Sequence, residues 1–480
     1  MTTTAATGPP VERSIFAPAH RSTSGGLLIL VTLIAFEAMA VAAALPTAAR
    51  ELHGIGAIGW AFTGFLVSDV VGMVVSGQLC DRRGPRLPMI AGLAAFMAGL
   101  AVAGTAASMA QLVAGRCVQG VGAGLLITAI YVVLGATYPD ALRPKIFAAM
   151  SSAWVVPSLL GPVVSGTLAQ HVSWRWVFLG LLPFVLVGAR LLVPALRGLA
   201  SPASSGRLAD PGRLADPRRV LHALAVAGGV AALEAAGQHP SPASVPVAVL
   251  GVAALVWGLR TLLPRGTVRV RRGVSAPIAM RGLFAGAFFG VESMVPLSQT
   301  VQHGFGATLA GLPLVGSGVT WALGSWWQGR AHAAEGPQRR VVLIRTGFAL
   351  IALAAALVAV VAQPAVPGWL IFPAWAVAGL GAGLTMSSLG VLLLRYTNDA
   401  DRGTDSAALQ LSDAVTSALT TGVAGVLVAA AARGVLGYTA AFTVLDLAMV
   451  GVAGLGVAAA GRARPPAGSR GSVLAAQASI

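Results

Sequence analysis

The sequence predicts an all-α, polytopic membrane protein with fourteen spans, and three observations lead to that prediction. Of the 480 residues, 56% are hydrophobic and only 10% are charged, whereas a soluble domain carries about 25% charged residues. The apolar residues recur in blocks of roughly 20, the length that an α-helix needs to cross a bilayer. The alternating ten-residue segments of a membrane β-barrel do not occur in the sequence. We therefore expect the lipid bilayer to surround most of the chain.

Fourteen apolar blocks are the predicted spans. Their approximate limits are residues 25–48, 59–78, 87–107, 110–135, 146–169, 174–195, 220–237, 244–263, 279–300, 307–328, 341–362, 368–394, 405–432 and 436–460. The seventh block is short. It must be counted as a span or discarded together with the eighth, because removing a single span would reverse the orientation of every later loop. The predicted organisation is a disordered tail (1–24), a six-helix bundle (25–195), linkers with an inserted helix pair (196–278), a second six-helix bundle (279–460) and a second tail (461–480).

The basic residues predict the orientation of the chain in the membrane. With the N-terminus inside, 28 of the 32 basic residues lie in inner loops and tails, as the positive-inside rule requires. This count assigns Arg281 to the inner loop before the ninth span. We expect a monomer in a bacterial-type cytoplasmic (inner) membrane, with both termini in the cytoplasm.

The chain also repeats itself. Gly120–Leu125 (GVGAGL) in the fourth span returns 259 residues later as Gly379–Leu384 (GLGAGL), and at the same offset Gly166 aligns with Gly425. Six spans separate the copies if the inserted pair is left out, so both copies enter the membrane from the same side. Such a parallel repeat predicts two bundles related by an axis along the membrane normal.

Composition excludes several classes of function. The net charge of +16 comes from loop residues without interleaved aromatic residues, so we expect no nucleic-acid partner. The one lysine, Lys145, follows Pro144, so the phosphate-binding loop of an ATPase is missing. Seven scattered histidines, with Cys80 in a predicted loop and Cys117 in a span, predict neither a metal site nor a disulfide. We expect no cofactor, and any pumping must therefore draw on an ion gradient or a partner.

A motif follows the second span. Residues Gly77–Arg86 read GQLCDRRGPR, which resembles the G-x-L-x-D-R-x-G-[RK]-[RK] loop of the major facilitator superfamily, with Pro85 in place of one basic residue. The resemblance implies that Asp81 and Arg82 belong to an ion-pair latch that governs conformational switching on the cytoplasmic side. Gly84 would permit a sharp turn. An ordinary positive-inside loop is the alternative.

Three further segments resemble the fourteen-span drug:proton antiporter branch of that family. Phe36–Pro46 (FEAMAVAAALP) is similar to L-D-x-T-x-x-N-x-A-L-P, with Glu37 at the acidic position. Arg116–Gly122 (RCVQGVG) is similar to R-x-x-x-G-x-G. Gly161–Gly166 (GPVVSG), which includes Pro162, is similar to G-P-x-x-G-G with one glycine replaced. The resemblance implies a proton-coupled exporter.

Charged residues inside the predicted spans are the candidate functional residues: Glu37, Asp69, Arg116, Glu292 and Asp413. A charge at the bilayer centre costs about 2.5–3.5 kcal/mol, so it normally faces a watery cavity or a partner. Because spans one and nine each begin a bundle, we expect Glu37 and Glu292 to face each other across one cavity. A carboxyl group that is charged when open to one side and neutral while crossing would couple transport to protons.

Structural alternatives stay open for each of these residues. A carboxylate can simply hydrogen-bond a neighbouring helix, Asp69 can anchor helix packing, and Arg116 can be an ion-pair partner. Glu234, in the inserted pair, is expected to be structural. The leading hypothesis is export of amphipathic, cationic or drug-like small molecules in exchange for protons. Export of a lipid or secondary metabolite, or uptake, is the alternative. A membrane enzyme or sensor is disfavoured, because no catalytic cluster lies at one membrane face.

Overall fold

The computed structural model describes residues 14–464 except for 19, 139–141, 143–145, 147–148, 151–152, 154, 197–216, 239, 332–336 and 398–401. Within these residues the chain is almost entirely helical, and none of them lies in a strand. Most of the two predicted tails lies outside the described residues.

With two interrupted helices each counted once, the described residues form fourteen long helices, numbered here in chain order, that run back and forth through the molecule. They are α1 (Arg21–Glu51), α2 (Ile58–Arg83), α3 (Arg86–Gly104), α4 (Met109–Thr137), α5 (Val155–His171), α6 (Arg175–Leu179, continued by Leu182–Ala195), α7 (Pro217–Gln238), α8 (Ser244–Leu262), α9 (Ser275–Glu292, continued by Val295–Gln302), α10 (Ala307–Ala331), α11 (Pro337–Val361), α12 (Ile371–Tyr396), α13 (Arg402–Ala432) and α14 (Tyr438–Ala459). We call the membrane side on which α1 begins the N-terminal side, and the other the opposite side.

Length and composition make these helices membrane spans. Thirteen of them, among the described residues, are long and apolar enough to cross a bilayer. The remaining one, α5, has 17 residues, and undescribed residues lie just before it. The seventh helix, predicted to be short, is a full span of 22 residues. The structure therefore confirms an all-α, multi-pass membrane protein.

The two halves of the chain fold in the same way. In the first half, α2 and α3 pack on α4, and α1 packs on α5 and α6. Eight helices later the pairing recurs, because α10 and α11 pack on α12, and α9 packs on α13 and α14. The repeated glycines occupy matching places. A Cβ on Gly120 or Gly124 of α4 would collide with carbonyl oxygens of α2, and one on Gly379 or Gly383 of α12 would collide with carbonyl oxygens of α10. These glycines are thus explained by helix packing.

The two bundles make their most extensive contacts through two pairs of helices, α5 with α10 and α2 with α13. A Cβ on Gly166 of α5 would lie 2.7 Å from the Thr308 Cα, and one on Gly425 of α13 would lie 2.6 Å from the Gly59 Cα. Gly166 and Gly425 are the repeat-related pair of the sequence, and both contacts lie toward the opposite side. The bundles are therefore closed against each other on that side.

The inserted pair, α7 and α8, packs on the outside of one of these contacts. Helix α7 touches both α2 and α13, one from each bundle, while α8 packs on α7. Only α7 therefore bridges the two bundles at the α2–α13 crossing.

Three residues differ from their predicted places because helices extend further than the apolar blocks suggest. Helix α9 begins at Ser275 rather than near residue 279, so Arg281 lies within the helix and is buried. Helix α2 continues to Arg83, so Cys80 is a buried helical residue and not part of a loop. Helix α1 begins at Arg21, where buried Ser24 donates a hydrogen bond to the Ile15 carbonyl.

Candidate functional site

Glu37 of α1 is fully buried and forms an ion pair with Arg116 of α4. The same guanidinium donates a hydrogen bond of 2.7 Å to Gln119 Oε1 and one of 3.2 Å to the Ala61 carbonyl. Its Cζ atom lies 4.2 Å from the centre of the Phe65 ring. The Arg116 charge is therefore held by a carboxylate, two neutral oxygens and an aromatic face, which agrees with the ion-pair alternative weighed for this arginine.

A second ion pair joins two helices of the other bundle. Arg281 of α9 lies 2.5 Å (Nη2) and 2.6 Å (Nε) from Oδ2 of Asp413 in α13. The guanidinium lies 5.7 Å from the Phe284 ring centre. Sequence analysis identified Asp413 but assigned its partner to a loop, because an arginine in the first turns of a span usually reaches for the membrane surface.

Asp69 of α2 lies between these two pairs. It is buried, and the charged groups close enough to act on it electrostatically are Asp413 and Glu37. Among the described residues no basic side chain pairs with Asp69. We call Glu37, Arg116, Asp69, Asp413 and Arg281 the central charged cluster.

The central charged cluster contains more acid than base. It has three carboxyl groups and two guanidinium groups, and each guanidinium is already paired with one carboxylate. Its members come from α1, α2 and α4 of the first bundle and from α9 and α13 of the second. The cluster thus bridges the bundles, and Asp69 is its carboxyl group without a counter-ion.

The exposure of Tyr131 indicates which side of the membrane the central charged cluster faces. Tyr131, two turns before the end of α4, is close enough to Arg281 of the other bundle to act on it electrostatically. Even so, 45% of its surface is exposed. Because the opposite side is closed at Gly59 and Gly425, the cluster faces the N-terminal side in this structure.

Glu292 does not join the central charged cluster. It is buried at the end of the first piece of α9, and among the described residues no charged group acts on it electrostatically. The helix breaks directly after it, because the ring of Pro296 conflicts with the carbonyl oxygen four residues earlier. The expected face-to-face arrangement of Glu37 and Glu292 therefore stays a prediction, whereas the acidic neighbours that the structure brings together are Glu37, Asp69 and Asp413.

Sequence reasoning also missed Asp446 of α14. This carboxyl group is buried and lines a small cavity between α9, α11 and α14, together with Ser298. An acidic residue well inside an apolar block was the signal that could have identified it.

The motif after α2 is mostly helical. Gly77 and the Asp81 backbone lie in the last turns of α2, and Gly84 turns the chain with a φ of 77° before Arg86 begins α3. A Cβ on Gly77 would meet nothing within 4 Å, so close packing does not explain that glycine here. Arg82 is half-buried and Arg86 is exposed, while the Asp81 side chain lies outside the described part of the structure.

The antiporter-like segment of α5 lies between α1 and α10. A Cβ on Gly161 would lie 3.1 Å from the Met39 Cβ in α1, and Gly166 makes the contact with α10 described above. Pro162 is accommodated inside the helix, and its carbonyl accepts a 3.4 Å hydrogen bond from Ser165. The segment therefore joins Glu37's helix to the second bundle.

Comparisons with known proteins agree with this architecture. The sequence profile of the Major Facilitator Superfamily matches residues 27–420. The chain is 28% identical to the probable multidrug-efflux transporter Rv1634 of Mycobacterium tuberculosis over 437 residues, 88% of this chain and 91% of that protein. It is also 28% identical to the multidrug transporter protein MdtP of Bacillus subtilis over 173 residues, but this match covers only 36% of the chain and 32% of MdtP.

A solved structure shares the fold. The crystal structure of a POT family transporter in complex with a thioalcohol-conjugated peptide superposes with a TM-score of 0.66, at 15% identity, over 92% of this chain and 96% of that one. At that identity the likeness concerns the fold alone.

Proposed function

Because this chain belongs to the major facilitator superfamily and is a membrane transporter, we propose that it exports amphipathic, cationic small molecules in exchange for protons by alternating access. In this proposal the N-terminal side is the cytoplasm of a bacterial-type cell. The multidrug-efflux relatives support export of drug-like compounds, and the surplus acid of the central charged cluster supports a positively charged substrate.

The uncompensated Asp69 carries the proposal. An isolated carboxylate is very unfavourable in a low-dielectric interior, so Asp69 needs either a proton or a cationic ligand. These two states exclude each other, because a protonated carboxyl group no longer attracts a cation. Competition for one group is the simplest way to couple an outward-moving cation to an inward-moving proton.

The rest of the central charged cluster tunes this exchange. Glu37 and Asp413 place negative charge near Asp69 and so favour a proton or a cation bound to it. Arg116 and Arg281 pair with those two carboxylates and limit this effect. Cation binding at Asp69 from the N-terminal side would release a proton to the cytoplasm. Rocking of the bundles about the α2–α13 and α5–α10 contacts would then expose the site to the opposite side, where a proton displaces the substrate.

Two other predicted elements have roles in this cycle. The turn at Gly77–Arg86, with Asp81 and Arg82, would act as the latch of the N-terminal side when the bundles close there. Gly161, Pro162 and Gly166 would let α5 move against α10. Glu292, on which no charged group of the central charged cluster acts electrostatically, would hold its own proton without exchanging it for substrate.

Proteoliposomes with a defined pH gradient test the function. With the N-terminal side outward and an acidic lumen, we expect the purified protein to accumulate a fluorescent amphipathic cation and to alkalinise the lumen as it does so. Nigericin, which collapses the pH gradient, should abolish accumulation, and protein-free liposomes give the baseline. Accumulation that survives nigericin, or transport only of anionic probes, would overturn the proposal.

A further inference from the structure

The inserted pair carries a buried acid at the crossing of the two bundles. Glu234 lies one turn before the end of α7 and is 3% exposed. Its Oε1 accepts a 3.2 Å hydrogen bond from Gln238 of the same helix. Its Oε2 has no hydrogen-bond partner among the described residues. Sequence analysis predicted a structural role for this residue. Its position at the crossing of the two bundles points to a functional role as well.

The carboxyl group of Glu234 is directed at the place where α2 and α13 come closest. A Cβ added to Gly425 would lie 2.6 Å from the Gly59 Cα and 3.1 Å from Glu234 Oε1, and one added to Gly59 would lie 2.8 Å from the same oxygen. The acid therefore covers a backbone-to-backbone contact between the bundles. That contact must separate if the opposite side is to open.

The immediate surroundings of Glu234 are neutral. Thr63 of α2 lies beside the carboxyl group, and its hydroxyl oxygen lies 3.5 Å from that of Thr421 in α13. Gly422 of α13 also faces it. Among the described residues, no charged or titratable side chain of α2, α8 or α13 acts on Glu234 electrostatically. Among these described neighbours, no positive charge balances a carboxylate at Glu234.

We propose that Glu234 is a proton-binding site on the inserted helix pair, distinct from the central charged cluster, and that protonation there keeps the bundles closed on the opposite side. Burial of an uncompensated carboxylate is unfavourable, so the closed crossing favours the neutral acid. When α2 and α13 part, water reaches the carboxyl group and the charged form becomes acceptable. Loss of the proton therefore opens this side, and uptake of a proton from the opposite side closes it.

This inference assumes the alternating-access part of the proposed function, but neither its substrate nor its coupling residue. It assigns a function to the inserted pair, since α7 places an acidic residue at the α2–α13 crossing, where neither α2 nor α13 provides one. It also fits an antiporter, in which protons arriving from the opposite side should end the outward-open state.

Distance measurements between the bundles test the proposal without any transport. Val172, just after α5, and Val435, just after α13, are 67% and 70% exposed and belong to different bundles. We would replace both by spin-labelled cysteines in a chain whose Cys80 and Cys117 are serines, in lipid nanodiscs. Double electron–electron resonance between about pH 5 and about pH 9 covers the range in which buried carboxyl groups titrate.

The expected result is a pH-dependent population of the longer distance that increases as the pH rises. Glu234→Gln, a neutral group of the same size, should lose that response and remain at the short distance at every pH. Glu234→Asp, which keeps a titratable group, should retain it. Asp446→Asn removes a buried acid elsewhere in the second bundle and should respond like the unaltered chain.

Three results would overturn the proposal: no pH response in the unaltered chain, an undiminished response in Glu234→Gln, or no response in Glu234→Asp. The Asp variant keeps the test decisive if the Gln variant does not purify as a monodisperse protein. A failure of proton-coupled transport in proteoliposomes would leave these distances unaffected, so the two proposals fail separately.

Discussion

At the scale of single residues, the proposed exchange of a proton for a cation depends on which buried charges have partners. Glu37 is one of the candidates from sequence, and it occupies the acidic position of an antiporter-like span. The structure pairs it with Arg116, so its charge is balanced in the conformation described here. Asp69 lies nearby and has no such partner among the described residues, which is why we assign the proposed exchange of proton and cation to Asp69.

The Glu37–Arg116 pair predicts a distinctive pattern of stability. Glu37→Gln and Arg116→Gln should each lower the free energy of unfolding by about 3–5 kcal/mol, because each leaves one buried charge uncompensated. The double variant should lose less than either single variant, because it leaves no orphan charge. SDS titration in mixed micelles measures all three, and additive losses would argue against the pair.

The sequence identified most of the acids in this site but not how they are arranged. An acidic residue inside an apolar block is easily recognised, which is why Glu37, Asp69, Glu292 and Asp413 were predicted. Depth along a span says nothing about which way a side chain faces around its helix, so the sequence could not show that Glu37, Asp69 and Asp413 are neighbours. Arg281 was missed because it lies only two residues inside the predicted start of the ninth span, and the count of basic residues assigned it to the inner loop.

At the scale of helices, glycines fall into two physical classes. Some allow two backbones to touch, as Gly124 and Gly383 do, and their repeat in the sequence correctly indicated the two-bundle fold. Gly84 differs, because it has a φ of 77° and a ψ of 173°. This backbone conformation is adopted almost exclusively by glycine. The sequence motif located that turn correctly, although it gave no sign that most of the motif is helical.

Gly84 and Gly77 form a matched pair of substitutions with opposite predicted signs. Gly84→Ala should destabilise the protein by about 1–3 kcal/mol, because alanine is strained at this φ and ψ. Gly77→Ala lies inside α2, where its Cβ meets nothing, and should add about 0.5–1 kcal/mol. Thermal unfolding of the detergent-solubilised variants separates the two, and equal effects would contradict the geometry.

Gly84→Ala also tests the predicted latch, in a transport assay. If the turn governs switching, Gly84→Ala should slow transport of every substrate by the same factor while leaving substrate binding intact. Initial rates and equilibrium binding for two unlike cations decide this. Loss of one substrate with the other spared would assign the turn to substrate selection instead.

At the scale of the whole molecule, the architecture is two six-helix bundles with an added helix pair. The repeat and the apolar blocks predicted this plan, and the matching packing of the two halves agrees with it. The position of α7 could not be predicted from the sequence, because an apolar helical pattern does not indicate which groove between the bundles an additional helix occupies. That position puts Glu234 at the α2–α13 crossing.

The inserted pair makes a simple prediction about topology. A reporter inserted at residues 240–243 should read as outside the cytoplasm, and one at residues 265–272 as cytoplasmic. Each of α7 and α8 would then cross the bilayer once. Alkaline phosphatase and green fluorescent protein fusions give opposite signals on the two sides. If both positions read as cytoplasmic, the pair does not span the membrane.

The central claim is that one carboxyl group exchanges a proton for a cationic substrate, and proton release on binding tests it most directly. Purified protein in weakly buffered detergent solution is mixed with an amphipathic cation, and a pH indicator records the protons released. The unaltered chain and Asp446→Asn should both release protons as substrate binds. Asp69→Asn, which has no proton to give, should release none at saturating substrate. Undiminished release from Asp69→Asn would contradict the assignment of Asp69, and binding without release in the unaltered chain would contradict the exchange itself.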